Sequence, residues 1–113
     1  MRLGQCKPGL EATKNPMLSD IAWAAGLYEG EGSCHYHPRG TAHIEIAQKG
    51  TEILHWMKEL FGGRVTTLSS SASPNQIHRW VATGARARGF ALTIYTWLSS
   101  RRRRQVEKML EEG

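Results

Sequence analysis

The sequence predicts an α+β domain in which helices cover one face of a single antiparallel four-stranded sheet. Three observations predict it. Apolar residues recur at helical spacing in four segments, strands of alternating character come in two pairs, and turn-forming residues join each pair. Their order is α-β-β-α-β-β-α-α, a helix and a hairpin twice over and then two helices.

Residues 1–16 hold two prolines and two glycines with no sustained period, and are expected to form an irregular lead-in. Residues 17–113 then make one domain. Leu18 to Gly30 reads as a helix, with Ser19 or Asp20 as cap and Ile21, Trp23, Ala24, Ala25, Leu27 and Tyr28 apolar. Cys34 to His37 and Thr41 to Gln48 are short strands joined at Pro38-Arg39-Gly40. Thr51 to Phe61 is a helix that Gly62-Gly63 ends. Arg64 to Leu68 and Gln76 to Thr83 form the second hairpin across a Ser-rich loop with Pro74 and Asn75. Ala85 to Leu98 and Arg101 to Glu112 are the last helices, split at Ser99-Ser100.

At 113 residues the chain fits one small domain with a modest core, and burial of only ~65% of its unfolded surface points to an oligomer. No apolar run approaches the ~18 residues of a membrane helix, and the amino terminus lacks a secretory pattern, so a soluble intracellular protein with no membrane partner is expected. Cys6 and Cys34 make no disulfide framework. The net charge of +5 is one-sided. Residues 1–60 hold six basic and seven acidic side chains, whereas residues 61–113 hold nine and three. From Arg86 to Arg104 there are six arginines and no acid. Such a field suits a polyanionic partner, with a solvated basic face as the plain alternative.

Alternation sorts the strand residues. Ala42, Ile44 and Ile46 pack on helices, while Thr41, His43 and Glu45 face away with His35, His37, Arg64, Thr66 and Arg79. That outward set is either an ordinary wet face or a surface that reads the major groove, where arginine pairs with guanine and glutamate accepts from cytosine. Arg39 in the turn and Arg104 in the arginine run complete the candidate DNA contacts. Cys34, His35 and His37 make a poor zinc site, because alternation divides them between faces.

The segment Ala22 to Gly32 carries the most information. Ala22, Gly26 and Gly30 are four apart, with Ala25 beside them, so one helix face is nearly bare. Glycine within a helix costs about 0.5–1 kcal/mol against alanine, and close approach of a second helix is the available reason for it. Glu29 and Glu31 stand at the helix's negative end, where a divalent cation or an arginine would reverse an unfavourable sign. A glycine stop followed by a surface glutamate is the plain alternative.

Ala24 to Gly32, AAGLYEGEG, resembles the signature of the LAGLIDADG homing endonucleases. Ile46-Ala47-Gln48-Lys49, Glu52-Ile53-Leu54, Leu60-Phe61-Gly62-Gly63, His78-Arg79-Trp80 and Thr83-Gly84 resemble later elements of that family, so the resemblance spans Ser19 to Leu110. Ala24, Tyr28 and Cys34 depart from the family's usual leucine, aliphatic residue and phenylalanine, and Cys34 is expected to thin the core.

The resemblance implies a DNA endonuclease. It implies that Glu31 and the Gly30 carbonyl hold Mg2+ (Mn2+ or Ca2+ as substitutes), that Gln48 positions water, and that Arg103, or Arg104, stabilises charge near the attacked phosphate. With one signature per chain it also implies a homodimer across Ala22, Ala25, Gly26, Glu29 and Gly30, acting on near-palindromic double-stranded DNA. A catalytically inactive DNA-binding regulator or an RNA splicing maturase of the same fold is the alternative. A small protein-interaction module is a weaker one.

Overall fold

A computed structural model describes residues 9–68 and 76–112. The Ser-rich loop, with Pro74 and Asn75, and the first half of the lead-in lie outside the described residues. The elements are α1 (Leu18–Glu31), β1 (Gly32–His37), β2 (Thr41–Gln48), α2 (Glu52–Phe61), β3 (Arg64–Leu68), β4 (Ile77–Thr83), α3 (Gly84–Ile94), a 3-10 turn (Tyr95–Trp97) and α4 (Ser100–Glu112). The sheet is antiparallel throughout, in the order β1-β2-β4-β3. The α+β architecture and its element order are those the sequence predicts.

Register explains why one face is core. Cys34 pairs with Ile44, Tyr36 with Ala42, Ile46 with Trp80 and Trp80 with Val65, which lines these side chains up on the helix side. Ile44, Ile46, Trp80, Leu54, Met57, Ile94 and Val106 are completely buried there. Phe90 sits among three rings edge-on, with centroids 4.9 Å from Trp80, 5.0 Å from Phe61 and 6.4 Å from Tyr28. The Trp80 indole N–H donates to the Gly62 carbonyl at 2.7 Å, so its one polar atom is satisfied inside the core. Gly62 and Gly63 end α2 at φ +73° and +91°. A Cβ on Gly63 would also lie 2.6 Å from the Val81 carbonyl oxygen. The lead-in braces the same corner, where Gly63 N–H donates to the Leu10 carbonyl at 2.8 Å and Lys58 to that of Gly9 at 2.6 Å.

Several boundaries differ from expectation. Met17, not Ser19 or Asp20, precedes the first turn of α1, and the Asp20 carboxylate accepts the Met17 N–H at 2.8 Å from inside that turn. β1 starts two residues early, because Gly32 and Ser33 already pair with Ile46 and Glu45. α3 stops at Ile94 rather than Leu98. The aromatic and β-branched run Tyr95-Thr96-Trp97 tightens into a 3-10 turn, and Leu98 becomes extended and buried. On α2 only Leu54 and Met57 are buried, whereas Ile53 and Trp56 are exposed and Trp56 meets Trp23 edge-on.

Tyr28 packs beside Cys34 and takes up part of the space that the small side chain leaves, while a recess lined by Cys34, Tyr36, Gln105 and Met109 remains on that side. A Cβ on Gly32 would fall 2.1 Å from the Tyr28 ring, so the ring occupies the space a side chain would need there. Burial of the Tyr28 phenol disfavours its ionised form, and the half-buried Cys34 thiol beside it is likewise held above its ordinary pKa. The hydroxyl has no conventional hydrogen-bond partner among the described residues, and the thiol is a weak substitute. Gly32→Ala is therefore expected to destabilise the fold by about 2 kcal/mol or more through overpacking. Denaturant unfolding measures this, and the paired change Gly32→Ala with Tyr28→Leu should recover part of the loss.

Candidate nucleic-acid interface and the end of α1

The face of the sheet turned away from the helices carries rows of mostly polar side chains set by register, with Ala47 and the buried Val81 among them. Glu31, the last residue of α1, stands one residue before Gly32, whose partner is Ile46, and the outward row at that end of the sheet runs Ala47, Arg79, Thr66. The next row runs Ser33, Glu45, Val81, Arg64, and the one after it His35, His43, Thr83. His37 and Thr41 pair at the hairpin tip, beside Arg39 in the turn. All eight strand residues expected on this face are there. Of the candidate zinc ligands, His35 and His37 lie on it and Cys34 on the other, as alternation requires.

These groups touch one another across the sheet. The imidazoles of His35 and His43 stack with centroids 4.5 Å apart. His43 Nε2 lies 2.8 Å from Glu45 Oε1, and the same oxygen accepts from Arg79 NH1 at 3.2 Å. Arg79 Nε donates to Thr66 Oγ1 at 3.3 Å. Partial desolvation, then the neighbouring His43, lowers the proton affinity of His35 below that of a free imidazole.

A second network gathers where α1 ends. Both Glu29 carboxylate oxygens are taken by Ser99, one by its N–H at 2.8 Å and the other by its hydroxyl at 2.7 Å. Ser99 Oγ also accepts the Arg102 N–H at 3.3 Å, as the cap of α4. Arg102 Nε then donates to the Glu29 carbonyl at 3.1 Å, while its guanidinium carbon lies 5.4 Å from the Tyr28 ring centre. Arg102 is the one buried charged residue among the described residues, and it places a cation against the negative end of α1.

Two expectations change here. Arg103 does not reach this corner: its Nε donates to the Tyr95 carbonyl and its NH2 to that of Thr96, and it lies over the Tyr95 ring. The serine cap starts α4 so that Arg102, not Arg103, turns toward α1. Sequence reasoning missed Arg102, because four consecutive arginines differ only in helical phase. Ala25 is 1% exposed within the core, so it offers no surface to a partner. Glu29 is committed to Ser99. Gly26 and Gly30 are open, with nothing within 4 Å of a Cβ on either, and Ala22 is half-buried beside them.

Glu31 is exposed at the last position of α1, and its carboxylate, among the described residues, makes no hydrogen bond or ion pair. Of the final carbonyls, Gly32 N–H takes that of Tyr28 and Arg102 takes that of Glu29. Helix geometry leaves the Gly30 carbonyl without an intrahelical donor. Gln48 is two residues beyond the partner of Gly32, at the same end of the sheet. Arg104 is exposed on the first turns of α4.

Ser99 above all, then Arg102 and Arg101, hold the Glu29 carboxyl below the ordinary carboxylate range. The clasp's contribution is therefore complete above that range and is lost as pH falls through the lowered folded value. Ser99→Ala is expected to cost about 1 kcal/mol at neutral pH and to flatten the acid limb of the stability profile, as read by thermal unfolding between pH 3 and 7.

No family model and no curated protein sequence matches this chain. Solved structures do. The homing endonuclease I-CvuI, in complex with its target (Sro1.3) in the presence of calcium, superposes with a TM-score of 0.63 at 15% identity, covering 82% of this chain and 64% of that one. I-CvuI on an I-CreI target with magnesium, the DNA uncleaved, gives a TM-score of 0.59. The archaeal intron-encoded homing endonuclease I-Vdi141I, complexed with DNA, gives 0.60 at 20% identity, covering 82% and 65%. The match thus spans somewhat under two thirds of the length of these relatives. This chain carries the homing-endonuclease fold.

Proposed function

We propose that this protein is a sequence-specific, divalent-metal-dependent DNA endonuclease that acts as a homodimer on near-palindromic duplex DNA. The observation that carries the proposal is Glu31: a carboxylate without a partner among the described residues, at the end of a helix with an open glycine stripe and one residue before the first strand of the sheet. The relatives of this fold are held on DNA, with calcium or magnesium in the I-CvuI structures.

Two subunits meet backbone to backbone at Gly26 and Gly30, with Ala22 alongside, in a two-fold contact that brings their Glu31 side chains together. Each sheet then lies on one half-site. The donor chemistry suits a hard cation: the Glu31 carboxylate and the Gly30 carbonyl of each subunit would hold it together with oxygens of the DNA phosphate. When bound, such a cation supplies positive charge at the scissile phosphate and acidifies a water. Gln48, at the same sheet end, would hydrogen-bond a water there. Arg102, in place of Arg103, stabilises the α1 terminus that presents Glu31, and Arg104 supplies a phosphate contact.

Glu31→Gln is expected to lower cleavage by about 100-fold or more while leaving duplex binding in place, assayed on a randomised target library with magnesium. Cleavage equal to the parent's would overturn the nuclease assignment. Gly26→Val is expected to leave subunit stability nearly unchanged, since the lone subunit has room for the side chain, and to shift the dimer to monomers in sedimentation.

A further inference from the structure

We propose that Arg79 reads a guanine in the half of each half-site nearer the cut, and that Glu45 and Thr66 act as positioning residues that aim it. This rests on the DNA-endonuclease reading above and adds the base and the division of labour. Arginine has five N–H donors, of which Thr66 takes the one on Nε and Glu45 one on NH1. The remaining donors on NH1 and NH2 form the forward fork that matches guanine O6 and N7. Two tethers from two neighbouring strands fix the plane of that fork, so little rotamer entropy is lost on binding.

The tethering also reassigns Glu45. Its Oε1 already serves His43 and Arg79, and its side chain is 20% exposed, so its carboxylate aims an arginine rather than accepting from cytosine. Arg64, exposed in the adjacent row and without a tether among the described residues, suits a phosphate contact that carries no sequence information. Arg79 is next to Trp80, which is level with Gly32, the residue after Glu31, two strands away, about 10 Å at ordinary strand spacing, whereas His37 lies five residues, about 17 Å, along β1 from Gly32. At about 3.4 Å per base pair, the guanine falls closer to the cut than the bases under the hairpin tip.

The test is selection of bound duplexes from a random library in calcium, for the parent and for Arg79→Gln, Arg79→Lys, Glu45→Gln and Thr66→Val. The parent is expected to enrich a guanine at one inner position of each half-site. Arg79→Gln should replace it by adenine, and Arg79→Lys should keep the salt dependence while lowering the guanine preference about 10-fold. Glu45→Gln and Thr66→Val should blur that one position and leave the others unchanged, which a general loss of stability would not do. A parent that enriches no duplex sequence would overturn the endonuclease reading together with this one. A parent site that Arg79→Gln leaves unaltered would overturn the assignment of Arg79 alone, and unaltered profiles for both Glu45→Gln and Thr66→Val would overturn the positioning role.

Discussion

The clasp between the end of α1 and the start of α4 is the interaction on which the site depends. A helix that ends in Glu-Gly-Glu gathers negative charge at its already negative terminus, and four arginines at the start of another helix oppose that helix's positive end. Each arrangement is unfavourable alone. Set together, Glu29 caps and neutralises the α4 side through Ser99, and Arg102 returns a cation to the α1 side. The exchange holds the last turn of α1 against a covalently distant element, and so fixes the direction in which Glu31 leaves the helix.

Above that clasp the sheet divides its labour by parity. One face is buried by the helices, so the register cannot slip without exposing Ile44, Ile46 and Trp80. The same rigidity is passed to the other face at no further cost. His35, His43, Glu45, Arg79 and Thr66 are spaced by the ladder and linked side chain to side chain. Side chains set on strands are held more accurately than side chains set on loops.

The core departures are concerted. Tyr28 is too large for a position above an ordinary residue at 32, and Cys34 is too small to fill its own share of the inner face. With glycine at 32, the phenol lies flat where a side chain would stand and reaches the thiol. The buried hydroxyl is the cost of that solution, moderated by the Arg102 guanidinium above the ring.

Local pattern determined a great deal here, because it depends only on neighbours in the chain. Alternation assigned each strand residue to its face, the Pro38-Arg39-Gly40 and Gly62-Gly63 stops set the turns, and spacing exposed the bare stripe at Gly26 and Gly30. Tertiary structure decided what depends on helical phase and on partners far away in sequence. It turned Arg102 rather than Arg103 toward α1, drew Ala25 inward, gave Glu29 to Ser99 across seventy residues, and made Glu45 a brace for Arg79. A run of like residues carries no phase of its own, and a carboxylate takes whichever donor the packed chain brings within reach; neither can be read before the elements dock.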